Sequence, residues 1–175
     1  MNKIIFLDRD GTLNKDDGYT NKVGDYNILP NTIKGLKNLQ TQGYKLIIVT
    51  NQSGIGRGYY TEAQMHEFNN HLLNELKLEN INIEEVLFCP HTPQDNCKCR
   101  KPKTKLIEQY FTLDFDKNNS YVIGDRASDI ELANNTGLKS VLVTTGISEK
   151  DPELNSNPTF IAEDLLDAAI KIQNA

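Results

Sequence analysis

The sequence predicts a single α/β domain in which a doubly wound, mostly parallel, Rossmann-like sheet carries helices on both faces. Apolar, β-branched runs alternate with amphipathic segments along the chain, and strands that alternate with helices form parallel sheets. The run KLIIVT at 45–50 is apolar without interruption, which is typical of a strand buried on both faces. A length of 175 residues corresponds to one domain, covering residues 1–175.

Each predicted element follows from its local pattern. The predicted strands cover residues 3–8, 45–50, 84–88, 121–125, 139–145 and about 159–161. The predicted helices cover residues 31–42, 61–76, 103–111, 127–136 and a final segment from about 162. Asn31 is a candidate N-cap and Gly43 a stop signal for the first helix. Thr61 and Gln64 fit a capping box, and Gly137 ends the fourth helix.

Composition and charge exclude several classes of protein. Apolar residues make up 38% and charged residues 25% of the chain, as in a soluble globular protein. The net charge is −5 and no dense basic run occurs, so we expect no nucleic-acid partner. The longest apolar runs, such as 46–49, are too short to span a bilayer. The first residues run almost at once into a predicted strand, so we expect no signal peptide. We therefore expect a cytoplasmic protein, and its size suggests a monomer.

Polar residues follow the predicted strands where ligands bind in open parallel sheets, outside the carboxyl ends. Asp8 and Asp10 point the same way because strand residues i and i+2 share a face. Two close carboxylates repel, so they need a shared proton or a cation, and Mg²⁺ prefers such oxygen ligands. Asp125 can add a further oxygen, and Asp129 can complete the second shell. A charged surface turn is the alternative, but acidic positions at separate strand ends, together with Thr50, disfavour it.

All three cysteines lie within eleven residues, beside one histidine. The pattern offers four ligands, Cys89, His91, Cys97 and Cys99. An odd number of cysteines argues against a disulfide framework, and four soft or borderline ligands suit a closed, structural Zn²⁺ site. This zinc loop at 89–99 would position Arg100 and Lys101, which follow it. Buried thiols beside an incidental histidine are one alternative; a nucleic-acid zinc ribbon is another, although the segment has no clear basic surface.

Four segments together resemble the motifs of the haloacid dehalogenase superfamily, in the family's order. They are FLDRDGTLN, VTNQSG, CRKPK and VIGDRASDIELA, and the resemblance spans residues 4–145. It implies a Mg²⁺-dependent phosphatase in which Asp8 attacks phosphorus and forms an aspartyl phosphate. Asp10 would act as general acid and then general base. Thr50 and Lys101 would hold the phosphoryl oxygens, and Mg²⁺ would bind Asp8, Asp125 and the backbone carbonyl of Asp10.

The short zinc loop narrows the resemblance to two families, the heptose 1,7-bisphosphate phosphatases and the histidinol-phosphate phosphatase domains. Segments 17–19 and 51–59 look like the heptose family. Segments 100–106 and 124–126 look more like the histidinol family, and the heptose family usually has Pro-Gly-Met where this chain has Thr-Lys-Leu at 104–106. Loops after the first two strands border the leaving-group pocket, so the heptose 7-phosphate is the favoured substrate and histidinol phosphate the alternative.

The substrate-binding residues expected from these segments share a position in loops around the site. They are Asp17, Gly18, Tyr19, Asn51, Gln52, Ser53, Arg57, Arg100 and Arg126. Arg57 and Arg100 would suit a second phosphate, because a guanidinium pairs with phosphate through two bonds. A solvated loop charge is an equally good interpretation of Arg57.

Three other classes of function remain to be compared. A receiver-type signalling domain also uses an aspartate and Mg²⁺, but it gives no reason for a second carboxylate two residues later or for a zinc loop. A zinc-organised scaffold without catalysis would not need Asp8 or Asp10. A phosphomutase would need a large cap domain, and the segment between Asn14 and Pro30 is too short for one.

Overall fold

The computed structural model describes residues 1–112, 114–145 and 156–175. The strands are β1 Ile4–Leu7, β2 Lys45–Asn51, β3 Ile83–Cys89, β4 Tyr121–Gly124, β5 Lys139–Val143 and β6 Phe160–Ala162. The helices are α1 Thr32–Thr41, α2 Ser53–Gly56, α3 Glu62–Leu78, α4 Ala127–Thr136 and α5 Leu165–Gln173. These strands form one sheet in the order β3-β2-β1-β4-β5-β6. Every pairing between them is parallel, which confirms the predicted fold class.

The sheet separates two apolar layers, as a doubly wound fold requires. One layer packs α1, α3 and α5 against alternate strand residues such as Ile5, Leu7 and Ile48. The other layer packs α4 and the segment around Ile107 against the opposite strand residues, such as Phe6. The strands of the sheet centre are buried on both faces, which explains their continuous apolar sequences.

Helix ends agree with the sequence signals, with one difference. The Thr61–Gln64 capping box forms at the start of α3, and Gly137 ends α4 in the left-handed conformation. Asn31 occupies the N-cap position of α1, but its side chain makes no capping bond. Its amide donates instead to Asp164, at 2.6 Å, and so joins the start of α1 to the start of α5.

The predicted helix at 103–111 is wrong. The segment forms turns and one 3₁₀ helix, Glu108–Tyr110. Its backbone bonds run from residue i+3 to residue i, as from Ile107 N to Thr104 O at 3.0 Å. Ile107 is buried, and Leu106 and Tyr110 pack beside it, so the apolar contacts occupy about one turn. One turn of contacts cannot support an α-helix, whose stability in proteins comes from a continuous packed face.

Residues 15–31 contain one short 3₁₀ helix, Val23–Asp25. No cap domain therefore covers the carboxyl edge of the sheet from this part of the chain. None of the helices within the described ranges combines the length and the apolar character that a membrane span requires.

Candidate active site

The site lies where the chain reverses its direction of winding, at the carboxyl ends of β1 and β4. The register places Leu7 beside Ile123, so the residues that follow these strands, Asp8 and Asp125, emerge side by side. The amide of Asp8 donates to the carbonyl of Ile123 at 2.9 Å. Ligand sites in open parallel sheets form at this reversal point.

Three carboxylates converge here. Oxygens of Asp8, Asp125 and Asp129 lie within 4.8 Å of one another, and all three residues are buried. Burial, together with the charges of Asp8 and Asp129, raises the pKa of Asp125 to about 8. Burial also raises the pKa of Asp129 to about 7, although Lys101 opposes the shift. Carboxylates that are difficult to ionise together form a donor set suited to a hard divalent cation such as Mg²⁺.

Two glycines make room for these carboxylates. A Cβ atom at Gly11 would overlap the carboxylate of Asp125, and one at Gly124 would overlap that of Asp129. Gly11 also has φ +82°, a conformation that costs other residues free energy. Gly11, which follows Asp10, is therefore part of the site, because it lets the backbone turn in contact with the carboxylate of Asp125.

Lys101 bridges two of the carboxylates. Its Nζ donates to Asp8 at 2.8 Å, to Asp129 at 2.6 Å and to the carbonyl of Val49 at 2.6 Å. Burial alone would lower the pKa of Lys101, but the charges of Asp129 and Asp8 outweigh it and raise this pKa above its usual value. The ammonium group is therefore a fixed positive charge beside Asp8.

Asn51 holds the backbone of Lys101. Its Oδ1 accepts from the Lys101 amide at 3.0 Å, and its Nδ2 donates to the Lys101 carbonyl at 3.2 Å. The side-chain amide of Asn51 thus joins the end of β2 to the segment that carries Lys101. Asn51 also lines the cavity described below, so its predicted contact with substrate stays a prediction.

Asp10, two residues after Asp8, takes part in a network of side chains. Its Oδ2 accepts from Arg9 Nη2 at 2.7 Å and from Gln52 Nε2 at 3.1 Å, and its Oδ1 accepts from Arg9 Nε at 3.0 Å. Gln52 also donates to Thr50 Oγ1 at 2.8 Å and accepts from Tyr60 at 2.6 Å. Burial raises the pKa of Asp10, while Arg9 opposes the shift. Asp10 is thus a carboxyl group with a raised pKa that neighbouring side chains hold in place.

The four predicted zinc ligands lie together at the end of β3. Ligand atoms of Cys89, His91, Cys97 and Cys99 are within 4.8 Å of one another. The Cys89–Cys97 and Cys97–Cys99 sulfur pairs are both 3.6 Å apart, and the Cys89–Cys99 pair is closer, at 3.1 Å. A tetrahedral site with Zn–S bonds of about 2.3 Å would place the sulfurs roughly 3.8 Å apart, so Cys89 and Cys99 would move slightly apart around the ion. Three sulfurs and one imidazole nitrogen are a donor set that fits Zn²⁺.

Asp8, Asp10 and Lys101 line a cavity of about 460 Å³, within the range that holds small molecules. Its lining includes most of the predicted site residues, namely Asp8, Asp10, Gly18, Tyr19, Thr50, Asn51, Gln52, Ser53, Arg100, Lys101 and Arg126. Asp17 and Arg57 are exposed and outside this lining; Asp17 pairs with Lys15 at 2.6 Å.

The lining also includes residues that sequence reasoning missed, namely Asp16, Tyr60, Ala127 and Ser128. Asp16 accepts from the Gly18 amide at 2.9 Å, a turn for which the Asp-x-Gly spacing is a recognisable signal. Its carboxylate lies 3.6 Å from Arg126 Nη2, across the mouth of the cavity. Tyr60 gave no local signal in the sequence; it lines the cavity, and its hydroxyl donates to Gln52.

A parallel sheet of this order, with paired aspartates after β1, a lysine beside them and acidic residues after β4, defines a phosphatase of the haloacid dehalogenase type. A family model described as HAD-hydrolase-like matches residues 98–168. A protein of Thermoplasma volcanium, named as a probable D-glycero-D-manno-heptose-1,7-bisphosphate 7-phosphatase, is 46% identical over 71% of this chain and 86% of its own length. A protein of Photorhabdus laumondii, named as a D-glycero-α-D-manno-heptose-1,7-bisphosphate 7-phosphatase, is 37% identical over 94% of this chain and 97% of its own length.

Among solved structures, a D,D-heptose 1,7-bisphosphate phosphatase from B. bronchiseptica, complexed with magnesium and phosphate, is similar with a TM-score of 0.88. It is 28% identical, and the match covers 99% of both chains. The chain therefore belongs to the haloacid dehalogenase-like phosphatases, in the family of these heptose-bisphosphate phosphatases.

Proposed function

We propose that the chain removes the 7-phosphate from D-glycero-D-manno-heptose 1,7-bisphosphate through an aspartyl phosphate on Asp8. The convergence of Asp8, Asp125, Asp129 and Lys101 carries this proposal, together with the cavity that Asp8 and Lys101 line. The relatives' names support the choice of substrate, since those at 37% to 46% identity are named for this activity.

The chemistry proceeds in two steps. In the first, a carboxylate oxygen of Asp8 bonds to phosphorus, the bond from phosphorus to the sugar oxygen breaks, and Asp10 gives that oxygen a proton. In the second, Asp10 takes a proton from water as the water oxygen attacks phosphorus, and the bond to Asp8 breaks. Inorganic phosphate leaves, and both aspartates return to their starting states. Thr50 and Lys101 hold phosphoryl oxygens during both steps.

Two metals complete the proposed enzyme. Asp8 and Asp125, with the backbone carbonyl of Asp10, would hold Mg²⁺, and Asp129 would support them from behind. The cation supplies positive charge that keeps Asp8 ionised and neutralises the phosphoryl group. The cysteine and histidine cluster would hold a structural Zn²⁺ that orders the loop before Arg100 and Lys101.

The rim of the cavity supports a substrate with a second anionic group. Arg100 and Arg126 line the cavity, and a guanidinium is suited to paired bonds with phosphate. Tyr19 offers an apolar ring to the sugar. The remaining parts of the proposal are a single domain over residues 1–175, a monomer and a cytoplasmic location.

The decisive experiment measures kcat/KM with Mg²⁺ on both anomers of the heptose bisphosphate and on histidinol phosphate. We expect the heptose bisphosphate to be the better substrate by at least tenfold, and Asp8→Asn to abolish turnover. A preference for histidinol phosphate would replace the proposed substrate. A wild-type chain that becomes phosphorylated but does not release phosphate would instead be a receiver.

A further inference from the structure

Arg9, between the two catalytic aspartates in sequence, is completely buried. Charged side chains rarely lose all contact with water unless they are paired. Its fork makes the two bonds to Asp10 described above, and its remaining donors reach Asn69 Oδ1 and the carbonyl of Thr20, both at 2.8 Å. The guanidinium carbon lies 4.6 Å from the ring centre of Phe68, a cation–π contact.

We propose that Arg9 is a positioning residue that fixes the carboxylate of Asp10 for proton transfer to the leaving oxygen of the substrate. This inference rests on the proposed function, in which Asp10 is the general acid and base.

The geometry indicates that Arg9 orients the carboxylate of Asp10 and does not merely balance its charge. Two parallel N–H bonds to one carboxylate fix its plane as well as its position. The opposite side of the guanidinium is held by α3, through Asn69 and Phe68. Asp10 is therefore fixed to a 17-residue helix, and general acid catalysis depends on such fixed placement.

The same guanidinium joins Asp10 to the substrate pocket. Thr20, whose carbonyl accepts from Arg9, directly follows Tyr19 in the lining of the cavity. Arg9 thus anchors two parts of the site to α3. One is the loop at Thr20, which borders the leaving group, and the other is the carboxylate of Asp10, which protonates the leaving group.

The leaving group provides a selective test. An alkyl phosphate needs the proton from Asp10 as its P–O bond breaks, whereas p-nitrophenyl phosphate releases a stabilised phenolate that needs it far less. The quantity kcat/KM covers the steps through release of the alcohol or phenol, and so excludes the later hydrolysis of the aspartyl phosphate. A misplaced acid should therefore lower kcat/KM selectively for the alkyl substrate.

The experiment compares Arg9→Lys, Asp10→Asn and the double variant on a sugar 6- or 7-phosphate and on p-nitrophenyl phosphate, with Mg²⁺ and zinc present. Lysine keeps the positive charge but cannot form the two parallel hydrogen bonds to the carboxylate of Asp10. We expect Arg9→Lys to lower kcat/KM by about 100-fold on the sugar phosphate and by less than about fivefold on p-nitrophenyl phosphate. KM should change little, and Arg9→Lys should add nothing to Asp10→Asn on the sugar phosphate.

The controls separate positioning from general damage. Leu72→Ala opens a cavity in the same helix, at a residue that is also fully buried, and should affect both substrates equally. If Arg9→Lys does not fold, Asn69→Leu removes one support of the guanidinium, and a smaller loss of about tenfold, again confined to the sugar phosphate, is expected.

Equal losses on both substrates, or losses that add to those of Asp10→Asn, would overturn the role of Arg9. So would wild-type activity in Arg9→Lys, or in Asn69→Leu where that variant carries the test. If Asp10→Asn itself showed no selectivity between the two substrates, the general-acid role in the proposed function would fail instead.

Discussion

Single residues decide whether the carboxylates at the strand ends fit together. Gly11 turns the chain beneath Asp125 with a left-handed backbone, and a methyl group there would displace the carboxylate. The sequence motif shows the glycine but not which atom would meet the added methyl group. That contact depends on β4, more than a hundred residues away.

Gly11→Ala should therefore damage both activity and stability. We expect the left-handed conformation to cost about 1–2 kcal/mol of unfolding free energy, and the displaced carboxylate to lower kcat/KM at least about 100-fold. Gly43→Ala is the matched control, since Gly43 has φ +86° and open space around its Cα. It should lose similar stability and keep kcat/KM. Equal activity in the two variants would contradict the role of Gly11.

Arg9 marks the limit of residue-level prediction. A charged pair after a strand suggests a solvated turn, and nothing local indicates a buried cation. Its partners Asn69 and Phe68 lie in α3, so the burial of Arg9 becomes visible only when the fold brings that helix against β1. Asp8, Asp10 and Asp125 were predictable because strand ends in a parallel sheet share one edge.

At the scale of elements, the zinc loop connects β3 to Lys101. The cysteine spacing predicted the cluster, and the cluster lies directly before the residue that contacts both Asp8 and Asp129. The helix expected at 103–111 is absent because its apolar side chains contact the sheet over only about one turn. Periodicity cannot distinguish one anchored turn from a short helix.

Loss of a zinc ligand should lower stability and activity together. In Cys97→Ser we expect less than one zinc per chain, a clearly lower Tm and at least about a tenfold lower kcat/KM, because the segment before Lys101 loses its fixed end. Zinc content, Tm and kinetics on the same sample provide the test. Lys98→Ser, between two ligands but not one of them, should match wild type. Full zinc content and wild-type stability in Cys97→Ser would show that Cys97 is not a ligand and would refute the four-ligand site.

The capping box of α3 should stabilise the fold without affecting the chemistry. Thr61 accepts from the Gln64 amide at 3.2 Å, so Thr61→Ala should cost about 1 kcal/mol and lower Tm by about 2–4 °C. Thr41→Ala removes an exposed hydroxyl that bonds its own helix at Lys37 and should stay within about 0.5 kcal/mol of wild type. Calorimetry of both variants, with kcat/KM unchanged, checks the prediction.

For the whole molecule, the fold brings together charges that its stability alone would disfavour. The strand order places Asp8 and Asp125 side by side, and α4 adds Asp129, all buried. Burial and mutual repulsion raise the pKa values of Asp125 and Asp129. Lys101, beside Asp8 and Asp129, and Arg126, 3.3 Å from Asp125, offset these effects only in part. The apolar layers on both faces of the sheet must therefore outweigh the repulsion between these carboxylates at the carboxyl ends of β1 and β4. This opposition between stability and site is common in enzymes.

Binding of Mg²⁺ should remove the repulsion between these carboxylates and so stabilise the wild type. In Mg-free buffer at pH 7 without chelator, which leaves zinc in place, we expect Asp125→Asn to be more stable than wild type by about 1–3 kcal/mol. Burial raises the pKa of Asp125 to about 8, so folding at pH 7 must either protonate this carboxyl group or bury its charge, whereas an asparagine of similar volume requires neither. At 100 times its Kd, Mg²⁺ should stabilise the wild type by about 2.7 kcal/mol, a rise in Tm of about 5–10 °C, and should leave the variant nearly unchanged. Both titrations need NaCl-matched ionic strength. A variant less stable than the wild type without Mg²⁺ would show that these carboxylates do not destabilise the fold. A variant whose Tm rises with Mg²⁺ as much as that of the wild type would show that Asp125 does not bind the cation.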